Sequence, residues 1–418
     1  MIGTRIRYYR KRSGLTLEQL ADGICSVSYL SKFEHGEKAS DEIIKFLCDR
    51  LGISFEDVDN HEEIAEINRL LDEWYESIRD RNPDDMAEKE QAVTEKINTT
   101  EDPFLLIKYE LFKVRLLLID HKSDEAKPML ANIEKFKEIF TPELQYLYYH
   151  FKGVYFYTLE NYNEALRLYQ HAEELLIQLN YNEKEAAELY YQISLTHTDF
   201  YHISQGINYA HKALELFEKS YNLKRIADCQ TLLGISSRRI FNYDQAEFHY
   251  TQALKFAELY KDDIRKGILY HNLGYVQSFL GNSKIAIDYY KKGLILRETF
   301  DPKSKCLTLF LLAREHFKIN DTEKAQSFIQ EGLKMSKQNN LSDSYYKFKI
   351  LDLKINNKNE EYEELLRKKA IPYFSKVKLW EHVSEYAEEL ANYCYDIGKY
   401  KRAGHYFRLA IGARNELH

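Results

Sequence analysis

A rhythm of 38 to 41 residues runs through most of this chain and sharply limits what it can fold into. Its two clearest beats are Ile226–Tyr260 and Ile268–Arg297. In the first, Gly234, Ala246, Tyr250 and Ala253 fall at offsets 0, 12, 16 and 19; in the second, Gly274, Ala286, Tyr290 and Gly293 fall at the same offsets. A small residue in the middle of one helix, and another near the start of the next, let two antiparallel helices approach closely while an aromatic ring fills the gap between them. The offsets recur from Gly153 (Ala165, Tyr169, Ala172), Ala313 (Ala325, Ile329, Gly332) and Ala391 (Ala403, Phe407, Ala410), with weaker copies from Val114, Ser194 and Leu351. Eight evenly spaced anchors predict a stack of two-helix units.

These residues resemble the tetratricopeptide repeat, whose ideal period is shorter, so the resemblance implies extended helices or inter-repeat loops here. It covers roughly residues 100–418 and implies a right-handed superhelix with a concave face suited to peptides or protein segments. Composition agrees. With 418 residues, 44% hydrophobic and 30% charged, the chain exceeds one ordinary compact domain, and 6 Pro and 16 Gly beside 34 Tyr and 22 Phe describe a helical, aromatic-packed protein. The five cysteines (Cys25, Cys48, Cys229, Cys306, Cys394) are dispersed and never in a C-x-x-C pair, as expected of reduced thiols in a cytoplasmic protein. The basic start lacks the apolar run of a signal peptide. The most apolar stretch, Phe104–Ile119, is broken by Lys108, Glu110, Lys113 and Arg115, so no membrane span is expected.

The first domain, residues 1–59, is densely punctuated. Ile2, Ile6 and Tyr9 share one face of a first helix that ends near Gly14. Thr16 caps a second helix with Gln19 at its third position, Ser26 caps a third that Gly36 closes, Ser40 caps a fourth that Gly52 closes, and Ser54 opens a fifth. Leu15-Thr-Leu-Glu-Gln-Leu-Ala and Ser28-Tyr-Leu-Ser-Lys-Phe-Glu-His-Gly36 resemble the helix-turn-helix of the lambda-repressor-like (Xre) family. The resemblance implies that Leu20 and Ala21 pack helix two on helix three, that Leu30 and Phe33 anchor the recognition helix, and that Ser26, Val27, Ser28, Tyr29, Ser31 and Lys32 lie near bases or phosphates. Arg10 and Thr16 join that DNA-binding set. Arg5, Arg7, Lys11 and Arg12 are candidates for backbone contacts, which position rather than specify. Leu17 stands where the family commonly has Gln, and the turn is one residue short. Residues 1–55 hold 9 Lys and Arg against 7 Asp and Glu, a balance of +2, in a chain of net charge −7. The basic bias is local to the head.

Residues 60–100 read as a helical link or degenerate first repeat, with Ile64, Ile67, Leu71 and Trp74 at helical spacing and a stop at Asn82-Pro83; the head could swivel here. Residues 101–418 carry no metal-spaced cluster, phosphate loop or nucleophile elbow, so neither catalysis, metal nor cofactor is expected. In the tetratricopeptide pattern the inner face is lined from first helices, three positions before the small residue and one and four after it. That selects Arg115, His150, Tyr191, Arg238, His271, Tyr275, Arg314, Asn392 and Tyr395, with Asn272 beside them. The mixture suits an oligopeptide: Asn pairs with a peptide backbone, Arg forks a carboxylate, and aromatics make apolar pockets.

An Xre head followed by long-period tetratricopeptide repeats, with Ile24-Cys25-Ser26 at the shortened turn and Tyr270-His-Asn-Leu-Gly274 in the array, resembles the RRNPP group (Rgg, Rap, NprR, PlcR, PrgX). In length and repeat number it is most similar to the NprR-like members. The resemblance implies a peptide-controlled transcription regulator, acting as a homodimer or tetramer on a double-stranded operator. Two alternatives stay open: a Rap-like module acting on a response regulator, for which Gln91 lies in the linker region, and a phage arbitrium-type receptor.

Overall fold

The computed structural model describes residues 2–55, 61–81, 83–179, 182–296 and 301–416, all helix and turn with no strand among them. The chain forms two compact units, Met1–Ser236 and Ser237–His418.

The first unit opens with α1 (Ile2–Arg12), α2 (Leu17–Ala21), α3 (Val27–Glu34) and α4 (Asp41–Leu51). The starts of α2 and α3 follow from capping chemistry, whereas Ser40, expected to cap α4, precedes it without a side-chain cap hydrogen bond. Thr16 accepts from the Gln19 amide at 3.2 Å while the Gln19 side chain accepts from the Thr16 amide at 2.8 Å, and Ser26 Oγ accepts from the Tyr29 amide at 3.2 Å. Ile6, Leu20, Ala21, Leu30, Phe33, Leu47 and Cys48 make the head core, with Ile2 and Tyr9 packed against it. Each fully buried Leu or Ile contributes about 1.5–3 kcal/mol. The fifth head helix expected after Ser54 falls on residues 56–60, outside the described residues.

The unit continues with α5 (His61–Asp80), α6 (Pro83–Ile97), α7 (Pro103–Ile119), α8 (Ser123–Glu134), α9 (Pro142–Thr158), α10 (Tyr162–Gln178), α11 (Glu183–Asp199), α12 (Ile203–Lys219) and most of α13 (Leu223–Arg239). The link is packed into the array: α5 is seated on α7, where Tyr75 stacks on Phe112 with centroids 4.5 Å apart and planes 8° apart, and Trp74 is fully buried beside them. A single 3-10 turn, Lys137–Ile139, follows α8. The second unit holds the end of α13, then α14 (Tyr243–Leu259), α15 (Asp263–Phe279), α16 (Ser283–Leu296), α17 (Pro302–Lys318), α18 (Thr322–Gln338), α19 (Ser342–Ile355), α20 (Asn359–Leu365), α21 (Ile371–Lys376) after a π-helical turn, α22 (Trp380–Asp396) and α23 (Tyr400–Asn415). Arg297, the end of one sequence repeat, lies outside the described residues.

The long period comes from helix length. α9 to α15 each span 17 residues, and from α11 onward the joints of this series are three residues long, giving twenty residues per helix and forty per pair. The joints after α13, α14 and α17 are built alike. Phe241, Lys261 and Asn320 adopt φ of 61°, 55° and 62°, and the next amide closes back over the helix end: Asn242 N to Ser237 O at 2.9 Å, Asp262 N to Ala257 O at 3.0 Å, Asp321 N to His316 O at 2.9 Å. That same Asn or Asp then caps the following helix. The anchor spacing is also explained. Gly153 faces the Tyr169 ring, and a methyl group added at Gly274 would sit 2.6 Å from Tyr290 Cε1, so only glycine admits the ring sixteen residues on.

Candidate functional site

The outer face of α3 is open. Ser26, Val27, Ser28 and Lys32 are exposed, Tyr29 and Ser31 half-buried, and among the described residues the only ion pair there is a 3.9 Å contact of Lys32 with exposed Glu37. The Tyr29 hydroxyl accepts from the Ser40 amide at 3.1 Å, fixing the ring against the start of α4. This short helix presents hydroxyls and an apolar side chain at its N-terminal half, the part of a recognition helix that meets base edges, and one ammonium, Lys32, in its last turn. Thr16 is exposed at the start of α2 but already serves as its cap.

Arg10 does not belong to that surface. It is only 8% exposed and grips Glu34 with Nε at 2.6 Å and Nη2 at 2.7 Å, its remaining nitrogen donating to Leu15 O at 3.1 Å. A bidentate buried pair is a strut between α1 and α3, so the expected DNA contact at Arg10 is withdrawn. The other basic residues of α1 are also engaged. Arg5 donates to Ser54 O at 2.6 Å, Arg7 and Lys11 reach Glu138, and Arg12 lies 5.9 Å over the rings of Tyr8 and Tyr9.

In the array of the first unit, positions one and four residues after each anchor line a cavity of about 550 Å³: Arg115, Val154 and Leu195, then Tyr157, joined by Arg81, Gln192 and Asp199. The Tyr157 hydroxyl occupies Asp199 at 2.8 Å. Arg115 is 7% exposed and makes no hydrogen bond or ion pair with a described residue. Burial depresses its pKa, opposed by Tyr75 and Glu188 and aided by Arg81 and Arg225. Glu188 is already spoken for, since Arg225 holds both its oxygens, and Arg79 holds Glu185 at 2.7 Å. A buried guanidinium left without a counter-ion at a cavity wall has the chemistry to take an anion.

Positions three residues before the anchors behave differently. His150 is buried beneath the face, its Nδ1 3.3 Å from the Tyr146 hydroxyl and its pKa pushed well down by burial and then by Arg115; it is not on an open surface. Tyr191 is half-buried under the Arg225 guanidinium, 4.9 Å from its ring. Sequence reasoning missed Arg81 and Gln192. Gln192, a polar residue deep within the central stretch of α11, was the available signal.

The remaining candidates sit in the second unit. Arg238 lies 4.9 Å over the Tyr275 ring, which packs on Phe279 at 4.8 Å. His271 lies 5.8 Å from the Tyr290 ring, with half-buried Asn272 beside it on α15. Arg314 is 3.8 Å from Glu315, whose carboxylate also takes Lys318 at 2.7 Å and Ser278 at 2.6 Å. Asn392 and Tyr395 are exposed on α22, Tyr395 edge-on to Tyr400 at 5.3 Å. Among the described residues no group of His, Cys, Asp and Glu gathers as a metal would require, and no helix is long and apolar enough to cross a membrane. All five cysteines are free.

Comparison with known proteins places this geometry. A family described as helix-turn-helix matches residues 6–58 and one described as tetratricopeptide repeat matches 268–299. The chain is 32% identical over 401 residues to the transcriptional activator NprA of Geobacillus stearothermophilus, covering 94% of this chain and 98% of that one. Response regulator aspartate phosphatase I of Bacillus subtilis (strain 168) is 25% identical over 84% of this chain and 91% of its own. The apo form of the quorum sensor NprR from B. thuringiensis superposes with a TM-score of 0.76 at 21% identity, over 84% of this chain and 99% of that one. NprR in complex with its cognate peptide NprX superposes with a TM-score of 0.60 at 22% identity, over 85% and 99%.

Proposed function

This chain belongs to the RRNPP family, that of the transcriptional activator NprA, and we propose that it is a quorum-sensing transcription regulator whose repeat array takes a short imported peptide and thereby changes how its head holds DNA. The observation that carries the peptide half is Arg115, a buried cation without a partner on the wall of a cavity large enough for several side chains. An acidic side chain or a terminal carboxylate supplies what Arg115 lacks. The exposed face of α3 supports the DNA half, with Ser28 and Lys32 reading the major groove. One helix joins the two: α7 carries Arg115, and its Glu110 lies in the field of Tyr8 and Arg12 of the head. A ligand that shifts α7 shifts the footing of α1.

In this reading residues 1–59 bind DNA, 60–100 connect, and 101–418 receive the peptide. The protein works in the cytoplasm as a homodimer on a double-stranded operator, without cofactor or catalysis. A Rap-like action on a response regulator is the second reading. It is favoured by the likeness to the aspartate phosphatase and by Gln91, exposed on α6 with its amide 3.1 Å from Glu95.

Isothermal titration with the short secreted peptides encoded beside the gene, followed by a DNA-shift assay on the adjoining promoter, tests the proposal. A peptide that binds at micromolar strength or tighter and alters the shift is expected. DNA binding that no peptide affects, together with capture of a response regulator, moves the Rap-like reading ahead.

A further inference from the structure

The outward face of α1 is occupied by the array of its own unit. Tyr8 is buried against Phe136, with ring centroids 4.6 Å apart, just after α8. Beside them, in the 3-10 turn, Glu138 accepts from the Arg7 guanidinium and from Lys11 Nζ at 2.9 Å, and Lys11 also donates to Lys135 O at 3.1 Å. One anion therefore faces two cationic side chains of a DNA-binding head. Holding such groups is what a backbone phosphate does.

We propose that Glu138 is an internal stand-in for a DNA phosphate: it clamps the head onto the array through Arg7 and Lys11, and DNA must displace it to use those two residues. The inference rests on the DNA-binding reading given above. The clamp is built to open. Glu138 is 60% exposed at its side chain, so its pairs are weak and screened by salt. The enclosed Tyr8–Phe136 contact, being apolar, gives the docked position a fixed register that salt does not erase.

The test uses the full chain, wild type and Glu138→Arg, titrated at low salt with a duplex from the promoter beside its gene, and followed in parallel by backbone amide exchange. In the variant, residues 2–12 and 135–139 should exchange faster, and the duplex should bind roughly three- to tenfold tighter. The triple change Arg7→Glu, Lys11→Glu, Glu138→Arg should restore slow exchange while DNA affinity falls, which separates clamp chemistry from misfolding. Unchanged exchange and affinity in Glu138→Arg overturn the clamp. Faster exchange with weaker DNA binding overturns the competition, because the docked head would then be the binding form. No DNA binding by wild type or variant overturns the proposal together with the reading beneath it. That outcome is distinct from a wild type that binds DNA and a variant that binds it no tighter.

Discussion

Arg10 in the head and Arg115 in the array are withdrawn from water to nearly the same degree, 8% and 7% exposed, and they are engaged in opposite ways. Arg10 is met on both sides by Glu34, so its charge is spent inside the fold. Arg115 is met by none among the described residues, and the carboxylate whose field reaches it, on Glu188, belongs to Arg225. Burial alone therefore says nothing about role; the presence or absence of a counter-ion separates a strut from a receptor.

The contrast is broken or sharpened by matched changes. Arg10→Met strands Glu34 in the head core and should cost about 3–5 kcal/mol of head stability. Amide exchange across α1 to α4 checks it, Glu34→Leu in the same chain should recover most of the loss, and an undisturbed head would end the comparison. Ser28→Ala with Lys32→Ala removes exposed rather than buried groups. It should weaken specific DNA binding by roughly 2–4 kcal/mol with peptide affinity intact, read by anisotropy and calorimetry. Arg115→Met should leave thermal stability level or higher while peptide affinity falls by about 1.5–3 kcal/mol, the worth of a hydrogen bond to a charged group. If stability instead collapses, Arg115 is a strut after all. Gln192→Glu, on the wall of the same cavity, supplies the absent anion from within. It should lower peptide affinity by about 1 kcal/mol and raise the melting temperature slightly, turning the receptor partway into a strut.

Much of the fold is legible in the sequence because its devices are local or periodic. The capping box at Thr16 and Gln19, and the fit of Tyr290 on Gly274, need only near neighbours or a repeat offset, and both are found as read. The joints are less legible: Phe241 and Lys261 hold left-handed backbone where glycine would be the expected signal, and only the surrounding helices and the amide bonds behind them hold that geometry. The candidate site is legible in part. The repeat rule finds Arg115 and misplaces His150, because one register faces the cavity and the other the layer beneath it. Engagement is not legible at all. The arginines of α1 read as a free basic face, and Glu138, the partner of Arg7 and Lys11, lies 131 residues from Arg7, a distance no local pattern spans.

The twenty-residue stride has a consequence for how such a chain can change. Because the recurring joint ends one helix with a left-handed residue and starts the next with its own cap, it carries its instructions with it. A duplication or excision cut at two equivalent joints moves a whole helix pair, with both ends already finished. Descent can thus lengthen or shorten the array by modules, leaving the packing at each seam much as before. The head, whose core is assembled from four unlike helices and one buried ion pair, has no such seam, so it must be inherited entire.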